Sequence, residues 1–122
     1  MAFSRWLFRI AGIYGLIVLV PQYFLENKIG EQTPPAITHT EYFYGFVGVG
    51  IAWQIAFLII AQDPIRFRPM IIPGVVEKFS FGISAIVLYF QQRLPPMLLG
   101  AAAIDLILGT LFLVAWRRLA RE

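Results

Sequence analysis

With 122 residues, 59% of them hydrophobic, 16% aromatic and only 14% charged, the chain is too poor in polar side chains to cover a water-soluble fold of its size. The formal net charge of +3 comes from arginines at the ends of apolar runs and does not form the basic stripe of a nucleic-acid surface. There is no cysteine, which excludes disulfides, thiolate metal sites and cysteine nucleophiles.

Four apolar runs each approach the ~20 residues that a bilayer core requires. They cover about 6–24, 42–61, 70–90 and 96–116. The runs are continuous and lack period-2 alternation, so helices are expected, and a helix satisfies its own backbone in lipid. The predicted fold is all-α: a single transmembrane domain forming an integral membrane four-helix bundle.

The first run, Trp6 to Phe24, follows Arg5 and contains Arg9, which gives it the outline of a signal peptide. The small residues of a cleavage site are missing where Pro21-Gln22-Tyr23-Phe24 stands, so a retained helix is expected. The segment 25–41 is the one sizeable connector. Pro34-Pro35 favours an extended, stiff path at its centre. His39, the single histidine, and Glu41 lie near its end and read as surface groups; no metal site and no cofactor is expected.

The second run, Tyr42 to Ala61, carries Gly45, Gly48 and Ala52 at helical spacing, a small face for close helix approach. Trp53 and Gln54 lie deeper in it. The turn that follows holds Asp63-Pro64, a cap-and-start signal, then Arg66 and Arg68. These two arginines read as a topology anchor on anionic lipid headgroups; a sharper reading pairs one of them with Glu77. The third run opens with Pro73-Gly74, expected to kink or delay its helix and to free backbone groups near Glu77. The fourth run contains Asp105 and ends at Trp116, before Arg117, Arg118 and Arg121.

An even number of spans puts Arg5 and Arg9, Arg66 and Arg68, and Arg117 and Arg118 on one side. The positive-inside rule makes that side cytoplasmic, with both termini there. A three-span alternative strands Arg117 and Arg118 outside and breaks the rule. A bacterial inner membrane is the expected location. Arg66, Arg68, Arg117 and Arg118 are the candidate contacts to anionic headgroups.

Ionisable groups in hydrocarbon cost about 2.5–3.5 kcal/mol each on insertion scales, so Glu77 and Asp105 should face the bundle interior with partners. At 1.5 Å per residue, Tyr14, Gln54 and Glu77 reach ~10–12 Å from the cytoplasmic ends and Asp105 ~16 Å. Tyr14, Gln54, Glu77, Lys78 and Asp105 therefore share one slab and form the candidate polar site. Glu77 and Lys78 point about 100° apart on a helix, so only one of them faces the centre directly. Either Lys78 snorkels outward while Glu77 turns in, or Lys78 turns in and pairs with Asp105. The cluster reads as interhelical glue or as a site for a polar ligand or a proton. It lacks a Ser-His-Asp or His-Glu-x-x-His pattern, so no catalytic residue is assigned.

Four helices with both ends inside and a polar slab resemble the small bacterial four-span proteins of the DoxX-like kind. The residues that carry the likeness are Glu41-Tyr42, Trp53-Gln54, Asp63-Pro64, Arg66, Arg68-Pro69 and Glu77-Lys78. In outline the chain is also similar to the EXPERA group, which includes sterol isomerases and the sigma-2 receptor. That resemblance implies membrane-embedded carboxylates. It also implies a histidine within the bundle, which this chain lacks. Three functions follow in order: an accessory subunit of a larger membrane complex, a binder or carrier of a lipid, quinone or other small molecule around Glu77 and Asp105, and an intramembrane acid/base enzyme. The expected partners are membrane lipids, other membrane subunits or a second copy of the chain meeting through the Gly45/Gly48 face.

Overall fold

The computed structural model describes all of residues 1–122. Five α-helices follow in order: α1 (Ala2–Leu19), α2 (Glu26–Gln32), α3 (Thr40–Gln62), α4 (Ile71–Phe90) and α5 (Leu99–Leu119). Short 3₁₀ turns extend three of the long helices, giving four apolar segments, Ala2–Phe24, Thr40–Gln62, Arg68–Phe90 and Pro96–Leu119. By length and composition each is able to cross a bilayer. The four predicted runs all lie inside these bounds.

Two local features depart from the sequence expectation, the connector and Pro73, and a third, the end of α4, was not marked in it. The connector 25–41 is not wholly extended: its first half is the short helix α2, with Glu26 in the first turn where it complements the helix dipole. Pro73 neither kinks nor delays α4. It falls in the first turn, where backbone N–H groups have no intrahelical partner to lose, so no backbone group near Glu77 is freed. Helix α4 ends on Gln92 at φ 59°, a left-handed cap. Its N–H donates to the Tyr89 carbonyl at 2.9 Å, and that of Arg93 to Leu88 at 2.8 Å. Pro21, in contrast, acts as its chemistry dictates: α1 gives way to a 3₁₀ turn at Val20.

The long helices form two hairpins, α1 with α3 and α4 with α5, while α3 and α4 make few direct contacts. Glycines set the spacing inside each hairpin. A Cβ on Gly12 would lie 2.8 Å from the Gln54 carbonyl oxygen, and one on Gly15 would collide with the Gln54 carboxamide. A Cβ on Gly82 would lie 2.7 Å from Leu106. Gly15→Leu is therefore expected to force α1 off α3 and to cost about 1–3 kcal/mol by overpacking. Reversible unfolding in mixed micelles measures it, and an unchanged midpoint would show that the two helices do not approach so closely.

The hairpins join only toward the end of the bundle that carries both termini. The shared core comprises Leu7, Phe8 and Ala11 of α1, Phe57, Ile60 and Ala61 of α3, Ile71 and Val75 of α4, and Phe112, Ala115 and Leu119 of α5. All of these lie in the terminal half. At its centre Phe8 stacks on Phe112 with ring centroids 4.3 Å apart, and Phe57 meets Phe112 edge-on at 5.0 Å. Gly74 lets α4 in, since its Cβ would lie 3.0 Å from the Phe57 ring. In the other half the close contacts stay within a hairpin: Gly50 against Leu19, Gly48 against Tyr23, Gly82 against Leu106. The one covalent link between hairpins, the turn after Gln62, is also at the terminal end. Between α3 and α4 the molecule consequently opens into a groove.

Candidate functional site

A charged triad sits where the two hairpins part. Lys78 is the inward member of the Glu77-Lys78 pair, only 3% exposed, although its neighbour is the one with a carboxylate to hide. Its Nζ lies 3.6 Å from Glu77 Oε2 and 3.7 Å from Asp105 Oδ1, and 5.2 Å from the centre of the Phe57 ring. Gly109 makes this possible: its missing side chain leaves room for the Lys78 stem, whose Cβ would stand 3.2 Å from a Cβ added there. Of the two orientations expected from sequence, the one pairing Lys78 with Asp105 is realised. Both separations exceed the 2.7–2.9 Å of a charge-assisted hydrogen bond, so the ammonium bridges the carboxylates without saturating either.

Gln54 completes the cluster from α3. It is buried, its Nε2 donates to the Gly50 carbonyl at 2.9 Å, and it neighbours the Glu77 carboxylate. Two oxygens here, Gln54 Oε1 and Glu77 Oε2, are buried without a hydrogen-bond donor. Such atoms carry a desolvation cost of about 1–3 kcal/mol each. Tyr14 is half-buried on α1 and makes no hydrogen bond to the others. Four of the five predicted slab residues are thus drawn together by contacts, and Tyr14 stands beside them.

Glu77 also faces the groove. That groove has a volume of about 870 Å³ and runs between α3 and α4. From Glu41 at its open end to Trp53 at its inner end it follows α3 for ~18 Å at 1.5 Å per residue. Phe46, Val49 and Phe81 give it apolar walls, and no basic residue lines it. Ser80 and Ser84 share the face of α4 that Glu77 occupies, so a thin polar track descends to the carboxylate. Of the small face predicted on this helix, Gly45 has nothing within 4 Å of an added Cβ and lines open space, while Gly48 packs on Tyr23, where an added Cβ would lie 2.7 Å from the hydroxyl. The groove was not legible in the sequence. Trp53 beside Gln54, together with Ser80 and Ser84 at helical spacing from Glu77, is the only local trace of it in the chain.

The arginines do not join the triad. Arg68 donates from Nε to the Trp116 carbonyl at 2.8 Å, and its guanidinium lies 4.3 Å from the Trp116 ring centre. Arg66 lies over Phe67, and its backbone N–H donates to Asp63 Oδ1 at 3.3 Å, the expected cap. The pairing of Arg66 or Arg68 with Glu77 is therefore not formed: both arginines project from the turn toward the bundle end, a level below the carboxylate. Arg118 lies over Phe3, while Arg117 extends from the last turn of α5. His39 stacks on Tyr42 and sits 3.4 Å from Glu41, both side chains well exposed. No group of three or more metal-ligating side chains forms. Comparison of the chain with protein-family models, with curated proteins and with solved structures gave no match.

Proposed function

We propose that this chain is an integral membrane protein that binds a small, mostly apolar molecule in the groove between α3 and α4, with a hydrogen-bond donor of the ligand on Glu77. One observation carries the reading: a groove of about 870 Å³ with apolar walls is lined toward its inner end by Glu77, a carboxylate whose nearest cation, Lys78, stands 3.6 Å from Oε2 and makes no hydrogen bond to it. Apolar walls with a few convergent polar groups are the usual make-up of a small-molecule site. Lys78, which Asp105 anchors from its other side, holds the carboxylate in place from behind. Both termini are assigned to the cytoplasmic side by the arginine distribution, so the open end of the groove faces the outer leaflet.

An accessory-subunit role is the second reading, and the same groove supports it, because a partner helix seated against α3 and α4 would cover it. Native mass spectrometry of protein extracted from its own membrane separates the two. The binder reading expects a small-molecule adduct that is lost in Gly45→Trp, which fills the groove, and in Glu77→Gln, which removes the acceptor charge, with helicity unchanged. An adduct that survives both variants sinks it, and a fixed-ratio polypeptide partner supports the subunit.

A further inference from the structure

We propose a second binding site, distinct from the groove: a phosphate-binding position for an anionic phospholipid, built on Arg68 and held by Trp116 at the terminal end of the bundle. Of the chain's basic residues, Arg5, Arg9, Arg66, Arg68, Arg117, Arg118 and Arg121 all lie at this end, against the acids Asp63 and Glu122 alone. The carboxylate of Glu122 is taken by the amino group of Met1 at 2.6 Å. None of these arginines forms an ion pair with a carboxylate. The end of the bundle therefore carries guanidinium groups in excess of its carboxylates, none of them in an ion pair.

Arg68 differs from the rest in being fixed. Nε is held by the Trp116 carbonyl in the last turn of α5, and the guanidinium lies over the indole of the same residue. The two remaining nitrogens make no hydrogen bond within the protein and are not buried. A guanidinium with one edge anchored and the other free presents two parallel N–H donors, the geometry that matches phosphate oxygens. Anchoring removes most of the side-chain ordering cost that a free arginine bears on binding. A phospholipid is the occupant because the position lies at the rim of four membrane-length helices, against Trp116 and next in sequence to Phe67, aromatic residues that suit the headgroup level. Arg121, beyond the end of α5, has no such anchor and serves as the comparison.

Delipidated protein in detergent, titrated with phosphatidylglycerol or phosphatidylcholine of matched chains and followed by native mass spectrometry, tests the site. The first phosphatidylglycerol is expected to bind roughly tenfold more tightly than phosphatidylcholine. Arg68→Lys, which keeps the charge and loses the fork, and Trp116→Leu, which keeps an apolar side chain and the backbone acceptor but loses the stacking face, should each lose most of that preference. Arg121→Lys should keep it. Equal binding of the two lipids overturns the site, as does an Arg68→Lys protein indistinguishable from wild type. If Arg121→Lys weakens binding as much as Arg68→Lys, the attraction is diffuse charge and the fixed site is wrong. Inorganic phosphate that competes off the lipid at equal concentration would assign the position to a free anion instead. Adducts retained by the groove variant Gly45→Trp keep this result independent of the first site.

Discussion

Replacing Lys78 by methionine is expected to destabilise the bundle by about 3–5 kcal/mol, the cost of leaving buried carboxylates without their cation. Glu77 and Asp105 lie on either side of the ammonium, and neither has another basic group within ion-pair distance. In the absence of Lys78 both charges face each other across a space closed by Phe57 and the small residue Gly109. The triple variant Glu77→Gln, Lys78→Met, Asp105→Asn removes all three charges together and should restore most of the loss, since a buried ion cluster replaced as a unit is often neutral. Equilibrium unfolding in mixed micelles reads both variants. A Lys78→Met protein as stable as wild type would show that water reaches the triad and solvates it. The triple variant also separates structure from function: a folded protein that no longer carries the groove adduct means that the charges serve binding, and a folded protein that keeps it means that they serve packing.

Phe112→Ala is expected to cost about 3–5 kcal/mol, toward the lower figure. Phe112 is fully buried at the junction of the two hairpins, stacked on Phe8 and edge-on to Phe57. In a membrane the reference state is itself apolar, so transfer from water contributes little and the loss is mainly of dispersion contacts around the cavity. Ile107→Ala, on a side chain that is 59% exposed, supplies the contrast and should stay within about 0.5 kcal/mol of wild type. The measurement is again unfolding in mixed micelles, and equal costs for the two variants would contradict a core confined to the terminal half. Loss of Phe112 should also loosen the join between hairpins and weaken retention of the groove ligand, although Phe112 does not line the groove.

How much of this was legible in the chain depends on the distance over which each feature is decided. The four membrane-length helices follow from hydropathy, a local sum over about twenty residues, and Asp63 and Pro21 shape the chain through their own side-chain chemistry. Pro73 does not kink its helix as its sequence position suggests, because the effect of a proline depends on where the helix starts, a boundary set by the turn at Arg68–Met70. Gln92 in a left-handed cap leaves no sequence signal, since glycine or asparagine usually marks that position. The polar slab was readable as a depth, because rise per residue is constant. Its wiring was not.

The all-α class and the number of membrane-length helices were thus determined by the sequence alone, because each depends on composition within one segment. Tertiary structure decided the rest: that Lys78 and not Glu77 turns inward, that Arg68 meets Trp116 and not a carboxylate, and that α3 stands away from α4. The physical reason is that residues one step apart on a helix point about 100° apart, so the partner of each is chosen by helix rotation. That rotation is set by glycines such as Gly15, Gly82 and Gly109, whose effect exists only when a second helix is pressed against them.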